Sequence, residues 1–589
     1  MATIRHWTNQ EIVDLIREVS AAKQVKGDNF FAIRAYDNAA DAIEHLSDSV
    51  EHLYRQGKLA DIPGIGVNLQ NHLTNLIETG RSTQFDHDKK GLPAGMFILL
   101  TIPGIGPKSA YKLAKEFNLN SPATAITKLK VAAQKGKIAT IEGFGDKSQA
   151  DILNALDQQK PKLTRIRIDR ATIAANKLMT YFNTCPDIGE LSLMGSIRRR
   201  SNTVGDIDLG LTTTKPDMVT HYIKKYPDII KLVASGSDLV RVNVSGNLQI
   251  DIKLVPPESW GSLLQHFTGS KAHNIHLREL ALTKGVSLSE YGIKTKGKLK
   301  RYSSEQEFYQ AIGLPWVPPE LREDQGEIEA ALKHQLPKLI EAKDIHADFH
   351  THTNYDWISS HDSANYSIQD LLDRALELGY HTIGVGDHNP SLSSYTSAQI
   401  IVEVKKRSQT IDHISQDAKY QSLHVFKTLE VDIRPDGALA LPDQAFDYLD
   451  YVVASVHSSF NQPASQLTHR VIKAISHPKV KIIGHPTGRI IGERSGFNLN
   501  WEHIFAACRE HSVALEINAH PSRLDIDELT ARSAITAGVN LAINTDSHQL
   551  SDLDNMPYGL DVARRGWSTP ASIINTWAWP KLHQFLVNN

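Results

Sequence analysis

The sequence predicts a multidomain chain of three fold types: an all-α N-terminal part, a mixed α/β middle and a C-terminal parallel α/β barrel. Three observations predict it. Glycine turns recur between helical segments up to residue 160. Strand-like runs interleave with helices between 165 and 310. From 346 onward, short apolar runs alternate with helical segments, the rhythm of parallel strands joined by crossover helices. The 589 residues correspond to about four domains at ~150 residues each. With 41% hydrophobic residues they can bury real cores.

In the N-terminal part, NQEIVDLIREVSAAKQV has helical apolar spacing, and AYDNAADAIEHLSDSVEHLY continues in the same manner. A turn then recurs as IPGIG at 62–66, IPGIG at 102–106 and IEGFG at 141–145, each ahead of a segment able to start a helix. A Gly-x-Gly turn opening a helix leaves backbone N–H groups free to donate to a phosphate oxygen at the positive end of the helix dipole. Such contacts position DNA without reading its sequence. One turn of this kind is weak, because many helix-helix connections use glycine. Three related ones make Gly64, Gly66, Gly104, Gly106, Gly143 and Gly145 candidate DNA contacts. They resemble helix-hairpin-helix motifs. The formal net charge of -2 does not oppose this, since residues 101–170 hold 13 Lys or Arg against 6 Asp or Glu.

In the middle part, LSLMG, GDIDLGL and NLQIDIKLV read as strands. Asp206 and Asp208 stand two apart on a strand, so their carboxylates share one side. Like charges so placed need a cation. Mg²⁺ takes oxygen ligands, and two such ions can clamp the attacking and leaving oxygens of an in-line displacement at phosphorus. Asp251 in NLQIDIKLV is the candidate third carboxylate, sharing the metal and serving as base toward the attacking hydroxyl. Ser196 and Arg199, with Gly205 ahead of the aspartates, are placed to hold a triphosphate. An Asp-x-Asp pair alone arises by chance on strand ends. The full run GSIRRRSNTVGDID marks the nucleotidyltransferase superfamily.

Residues 1–310 resemble the family X DNA polymerases, on that run and on HFTGSKAHNIHLRELALTKGVSLSEYGI. The resemblance implies that Phe267, Gly269 and Asn274 contact the incoming nucleotide, and that Arg278 probes the nascent base pair. Two positions depart from the family. His72 stands where the family's lyase has a lysine, and a neutral imidazole cannot form the Schiff base of an amine. Lys253 stands where an arginine is common, which keeps the charge but loses the guanidinium fork.

In the C-terminal part the histidines cluster after strand-like runs. ADFHTHT gives His350 and His352, VGDHNPS His388, LEVDIRPDG Glu430, ASVHSS His457, IIGHPTG His485, and NTDSH Asp546 and His548. The strand ends of a parallel barrel converge on one face, where active sites form. A His/Asp/Glu set without Cys suits Zn²⁺, Mn²⁺ or Fe²⁺. So many ligands imply a cluster of two or three ions, able to activate water and stabilise a phosphoryl transition state. Residues 344–589 resemble the PHP (polymerase and histidinol phosphatase) domain, a distorted parallel α/β barrel. That family has an aspartate shortly after HxH. Asp362 is the first choice here and Asp356 the second. His520 is a further candidate, either to support a metal ligand or to touch the substrate.

These readings divide the chain into 1–85 (helical, with the first hairpin), 86–160 (further hairpins), 161–260 (nucleotidyltransferase palm), 261–315 (thumb-like, nucleotide-selecting), 316–343 (a Pro- and charge-rich linker containing a helix) and 344–589 (barrel). The resemblance implies template-directed filling of short gaps in base-excision repair, with a metal-dependent 3′-5′ exonuclease in the barrel. Its partners are gapped or primer-template DNA and dNTPs, and the expected state is a monomer. The alternative is a repair nuclease or phosphatase whose polymerase half mainly grips DNA. Cys185 and Cys508 form no CxxC motif, which argues against a disulfide framework. The polar start MATIRHWTNQ has no signal-peptide core, and no run approaches the ~20 apolar residues of a membrane span. A cytoplasmic location is expected.

Overall fold

The computed structural model describes residues 7, 9–44, 50–55, 57–62, 65–102, 105–157, 165–245 and 248–588. The chain divides into two compact units, Met1–Thr164 and Arg165–Asn589. The regions expected as palm, thumb, linker and barrel therefore belong to one unit.

The first unit is helical, as the apolar spacing predicts. Asn9–Lys26 is one helix. In the next segment, helices Phe30–Glu44 and Val50–Arg55 are described, and residues 45–49 between them lie outside the described set. Ile12, Ile16, Leu69, Leu73 and Phe85 share one core, while Met96, Leu99, Leu113 and Leu129 form a second. The glycine turns do open helices. Gly66 caps Val67–Thr79, Gly106 caps Pro107–Glu116, and Gly145 precedes Asp146–Asp157. Gly64 and Gly104 lie outside the described residues.

The second unit begins with a five-stranded mixed sheet. Its order is Leu191–Leu193, Ile207–Thr212, Leu248–Val255, Leu239–Val244, Ile229–Ser235. The central pair, Ile207–Thr212 and Leu248–Val255, is parallel, and its register sets Asp208 opposite Asp251. Leu239–Val244 runs antiparallel on the other side, with Arg241 opposite Asp251. Helices Trp260–Thr268 and Lys271–Thr283 follow, then a three-stranded antiparallel sheet of Val286–Ser289, Gly292–Thr295 and Lys298–Lys300.

Residues 316–343, a linker by composition, are packed. Val317, Leu321, Ile328, Ala331 and Leu339 are buried in one core with Leu277, Phe308 and Tyr309. The apolar residues between the prolines account for it: they supply the burial that a solvated tether lacks. The expected helix lies at Glu327–Leu332.

Among the described residues, eight parallel strands form the C-terminal barrel in two sheets. Ala347–Thr351, Thr382–Val385 and His424–Lys427 make the first. Glu430–Asp432, Val452–Ser455, Val480–Ile483, Ala514–Asn518 and Leu541–Asn544 make the second. The sheets meet at two seams. At one, the backbone N–H of Glu430 donates to Gly386 at 3.1 Å; at the other, that of Asp546 donates to His350 at 2.9 Å. The two seams are the distortion, and His350, Glu430 and Asp546, expected as metal ligands from the sequence, sit on them. Cys185 and Cys508 are buried free thiols, and no helix among the described residues is long and apolar enough to cross a membrane.

Candidate functional sites

The first site lies at the parallel strand pair of the mixed sheet. Burial, with Asp206 and Asp251 nearby, pushes the Asp208 carboxyl up to about 7. Burial and Asp251 also raise Asp206. Two carboxylates that resist ionising beside a third are the donor set a divalent cation relieves. Arg241 already supplies positive charge on one side. It forks Asp251 with Nε at 2.7 Å and Nη2 at 2.5 Å. Gln249 donates to the same carboxylate at 3.2 Å. Sequence spacing could not find Arg241, because only the sheet register brings it to Asp251.

The turn Gly195–Arg198 presses against this strand. Met194 N–H donates to the Asp208 carbonyl at 2.8 Å. Gly195 has φ +58°, and a Cβ there would collide with Asp208 Oδ2. Ser196 is half-buried on the turn. Arg199 donates to Glu323 at 2.9 Å and, through Nη1, to the Thr268 carbonyl at 2.5 Å, next to Gly269. Gly205 approaches Arg165. Lys253 lies 4.8 Å from the centre of the Phe267 ring. Asn274 is locked between Gln265 and the His266 carbonyl, at 2.8 and 2.7 Å. Arg278 is exposed, with Nη2 3.5 Å from His266 Nδ1. Of the residues expected at the nucleotide, Arg199 lies against Thr268 and Gly269, at the end of the helix that carries Phe267, and Asn274 bonds the His266 carbonyl of that helix. In the first unit, the His72 ring packs against Phe85 at 5.5 Å, and burial lowers its pKa.

The second site is the cavity at the strand ends of the barrel, about 490 Å³ in volume. Glu430 is its hub. One oxygen lies 2.9 Å from His388 Nδ1 and 3.3 Å from His350 Nε2; the other lies 2.9 Å from His485 and 3.3 Å from His457. Asp546 Oδ1 is 3.0 Å from His352. The His352 and His548 rings stack at 4.1 Å. Several of these buried atoms, among them His350 Nε2, Glu430 Oε2 and His548 Nε2, make no hydrogen bond despite this crowding. Converging imidazole nitrogens and carboxylate oxygens left unsatisfied are what metal ligation would pair. The residues present therefore fit a multinuclear metal centre, and the ligand atoms of His350, His352, Glu430 and Asp546 lie within 4.8 Å of one another.

Of the two aspartates considered after HxH, Asp362 lines the cavity, 3.7 Å from both His388 and His548. Asp356 is exposed. Sequence reasoning passed over His361 and Asp432, which form a further group with the expected His457. Asp432 lies 2.6 Å from His457 and 3.0 Å from His361. A signal was present, because Asp432 follows Glu430 by two on one strand and so shares its face. Glu516 was also missed. It accepts from His350 Nδ1 at 2.8 Å and from the backbone N–H of His485 at 2.6 Å. Arg494, His520 and Arg523 also line the cavity.

Comparison with known proteins agrees with this geometry. Residues 7–82 match the helix-hairpin-helix domain, 97–158 the SAM-like helix-hairpin-helix tandem, 263–323 the DNA polymerase beta thumb, and 348–520 the PHP domain. The DNA polymerase/3′-5′ exonuclease PolX of Bacillus subtilis (strain 168) is 33% identical over 584 residues, covering 98% of this chain and 99% of the relative. DNA polymerase lambda of Rattus norvegicus is 24% identical over 54% of this chain and 56% of its own length. A protein named "probable phosphatase" from Thermoanaerobacter sp. (strain X514) is 28% identical over 39% of this chain and 89% of its own. Two glycine-turn helical segments, a thumb region beside a carboxylate-bearing sheet and a histidine-lined barrel thus occur in one chain that aligns with the Bacillus protein over nearly its whole length, and the chain belongs to the family X DNA polymerases that carry a C-terminal PHP domain.

Proposed function

We propose that this chain is a DNA polymerase filling short gaps in DNA repair, with a metal-dependent 3′-5′ exonuclease in its barrel. The observation that carries the reading is the coexistence of two separate cation-demanding centres, the Asp206, Asp208 and Asp251 sheet site and the Glu430-centred barrel site.

At the sheet site the three aspartates hold divalent cations, Mg²⁺ in this reading. When bound, these supply the charge neutralisation an in-line phosphoryl displacement needs. The bare backbone of Gly195 lets the turn carrying Ser196 and Arg199 close on that strand, so both face the triphosphate. Phe267, Gly269, Asn274 and Arg278 shape the nucleotide pocket, and Asp251 takes the proton of the primer 3′-hydroxyl. In the first unit, Gly64, Gly66, Gly104, Gly106, Gly143 and Gly145 offer backbone N–H groups to DNA phosphates.

At the barrel site, His350, His352, Asp362, His388, Glu430, His457, His485, Asp546 and His548 hold Mn²⁺ or Zn²⁺, with His361 and Asp432 as added candidates. Bound ions supply an activated water and a Lewis acid toward a phosphate. Arg494 and Arg523 then bring guanidinium charge to the phosphate from the cavity side. We place the protein in the cytoplasm, where two unpaired buried cysteines are at home, and take a monomer as the working state. The domain boundaries given by the sequence are retained within this reading, with 316–343 as packed structure rather than a linker.

A one-nucleotide-gapped duplex with a labelled primer and Mn²⁺ tests it. Extension with dNTPs should vanish in Asp251→Ala while primer shortening without dNTPs persists. His350→Ala with His352→Ala should show the reverse. Shortening without any extension by the wild type would favour a repair nuclease whose polymerase half grips DNA.

A further inference from the structure

The turn carrying Ser196 and Arg199 is held from the far end of the chain. Arg565 ends the helix Met556–Arg565, 366 positions from Arg199, and its side chain is 6% exposed. Its Nη1 donates to the backbone carbonyl of Arg199 at 2.8 Å and to Glu323 Oε1 at 2.9 Å. That same Glu323 oxygen accepts from Arg199 Nε at 2.9 Å. Glu528 Oε1 takes the rest of the Arg565 fork, 2.7 Å from Nη2 and 3.2 Å from Nε. The other Glu528 oxygen accepts from Asn202, just beyond the turn, at 3.3 Å.

Two guanidiniums and two carboxylates thus form a neutral, largely buried chain of charge-assisted bonds. Arg199 is fixed at both its backbone carbonyl and its Nε, which determines where the rest of its guanidinium points. Only a planar fork can serve the Arg199 carbonyl, Glu323 and Glu528 at once; an ammonium cannot.

We propose that Arg565 is a positioning residue of the nucleotidyl-transfer site: through Glu323 and the Arg199 carbonyl, the barrel sets the orientation in which Arg199 meets the incoming nucleoside triphosphate. This rests on the reading of Arg199 as a triphosphate ligand. A group that positions a binding residue shows in substrate affinity more than in any contact of its own.

Single-nucleotide gap filling by the full-length protein, with KM for dNTP separated from kcat, tests this in Arg565→Ala, Arg565→Lys, Arg199→Ala and Arg532→Ala. Arg532 is the control. It joins the same two regions, donating to the Gln325 carbonyl at 2.6 Å and lying 3.8 Å over Trp567, but its bonds go to neither the turn nor Glu323. Both Arg565 variants should raise KM on the order of 10–100-fold. Metal-dependent primer shortening and the KM of Arg532→Ala should stay within about twofold. Adding Arg565→Ala to Arg199→Ala should change KM little further, as expected for one coupled unit. An unchanged KM in both Arg565 variants overturns the proposal, and so does an equal rise in Arg532→Ala, which marks a general interface effect. If Arg565→Ala loses primer shortening as well, Arg565→Lys decides. A wild-type KM in Arg199→Ala refutes the underlying reading of Arg199 instead.

Discussion

Glu305 is 3% exposed and lies between two arginines, with Arg198 donating to both of its oxygens and Arg322 to one. Burial alone would raise its pKa, but Arg322 and Arg198 hold it down to about 2. A depressed carboxylate contributes stability above its unfolded pKa, near 4.5, and loses it as pH falls through the folded value. Thermal unfolding followed by circular dichroism should therefore show a stability loss opening below pH about 4.5 and continuing toward 2. Glu305→Gln should lower stability at neutral pH by ~3–5 kcal/mol, because it leaves the buried Arg322 and the half-buried Arg198 without their anion. Its acid slope in that window should also be shallower; an unaltered slope would show that the pair adds nothing there. Glu516 gives a second prediction. It orients His350 and His485 without facing the cavity, and supporting carboxylates of this kind are worth about 10–100-fold in metal affinity. Glu516→Ala should shift the Mn²⁺ dependence of primer shortening by that much, while gap filling in saturating Mg²⁺ is unaltered.

The turn Gly195–Arg198 and the strand Ile207–Thr212 act as one element, since the missing side chain of Gly195 sets their separation. Gly195→Ala forces them apart at a left-handed backbone position. A displacement of about 1 Å at a reacting group costs on the order of 10²-fold in rate. Gap-filling kcat should fall by that order with gapped-DNA binding retained in a mobility-shift assay; a normal kcat would mean that the turn yields freely. Strands were legible wherever chemistry and periodicity coincided. GDIDLGL and NLQIDIKLV announced themselves by alternation, and their aspartates by spacing. Arg241 was hidden, because its partner is chosen by sheet register rather than by distance along the chain. Asp432 stood in plain view two residues from Glu430, but an aspartate ahead of RPDG also reads as a turn residue. His361 precedes Asp362 in a loop whose path no periodicity gives.

At the scale of the molecule, the composition of 316–343 misleads most. Prolines and charges read as tether, yet the apolar residues between them join a core with Phe308 and Tyr309. That packing, with Arg565 reaching the Arg199 turn, is why the second unit runs unbroken from the carboxylate sheet to the barrel. No sequence rule reaches across 366 residues to pair an arginine with a carbonyl. Cys185 is 6% exposed and Cys508 1%, and burial pushes the Cys508 thiol up to about 12. An aromatic disulfide reagent should find no fast-reacting thiol in the native protein and both after denaturation; rapid native reaction would reveal local opening around either. The same concealment makes the natural chain a clean background for site-specific fluorophores. Lys108→Cys, exposed on the helix after the second glycine turn, would then carry the one readily labelled sulfur, and its emission would follow DNA arriving at the helical unit in real time with every native cysteine in place.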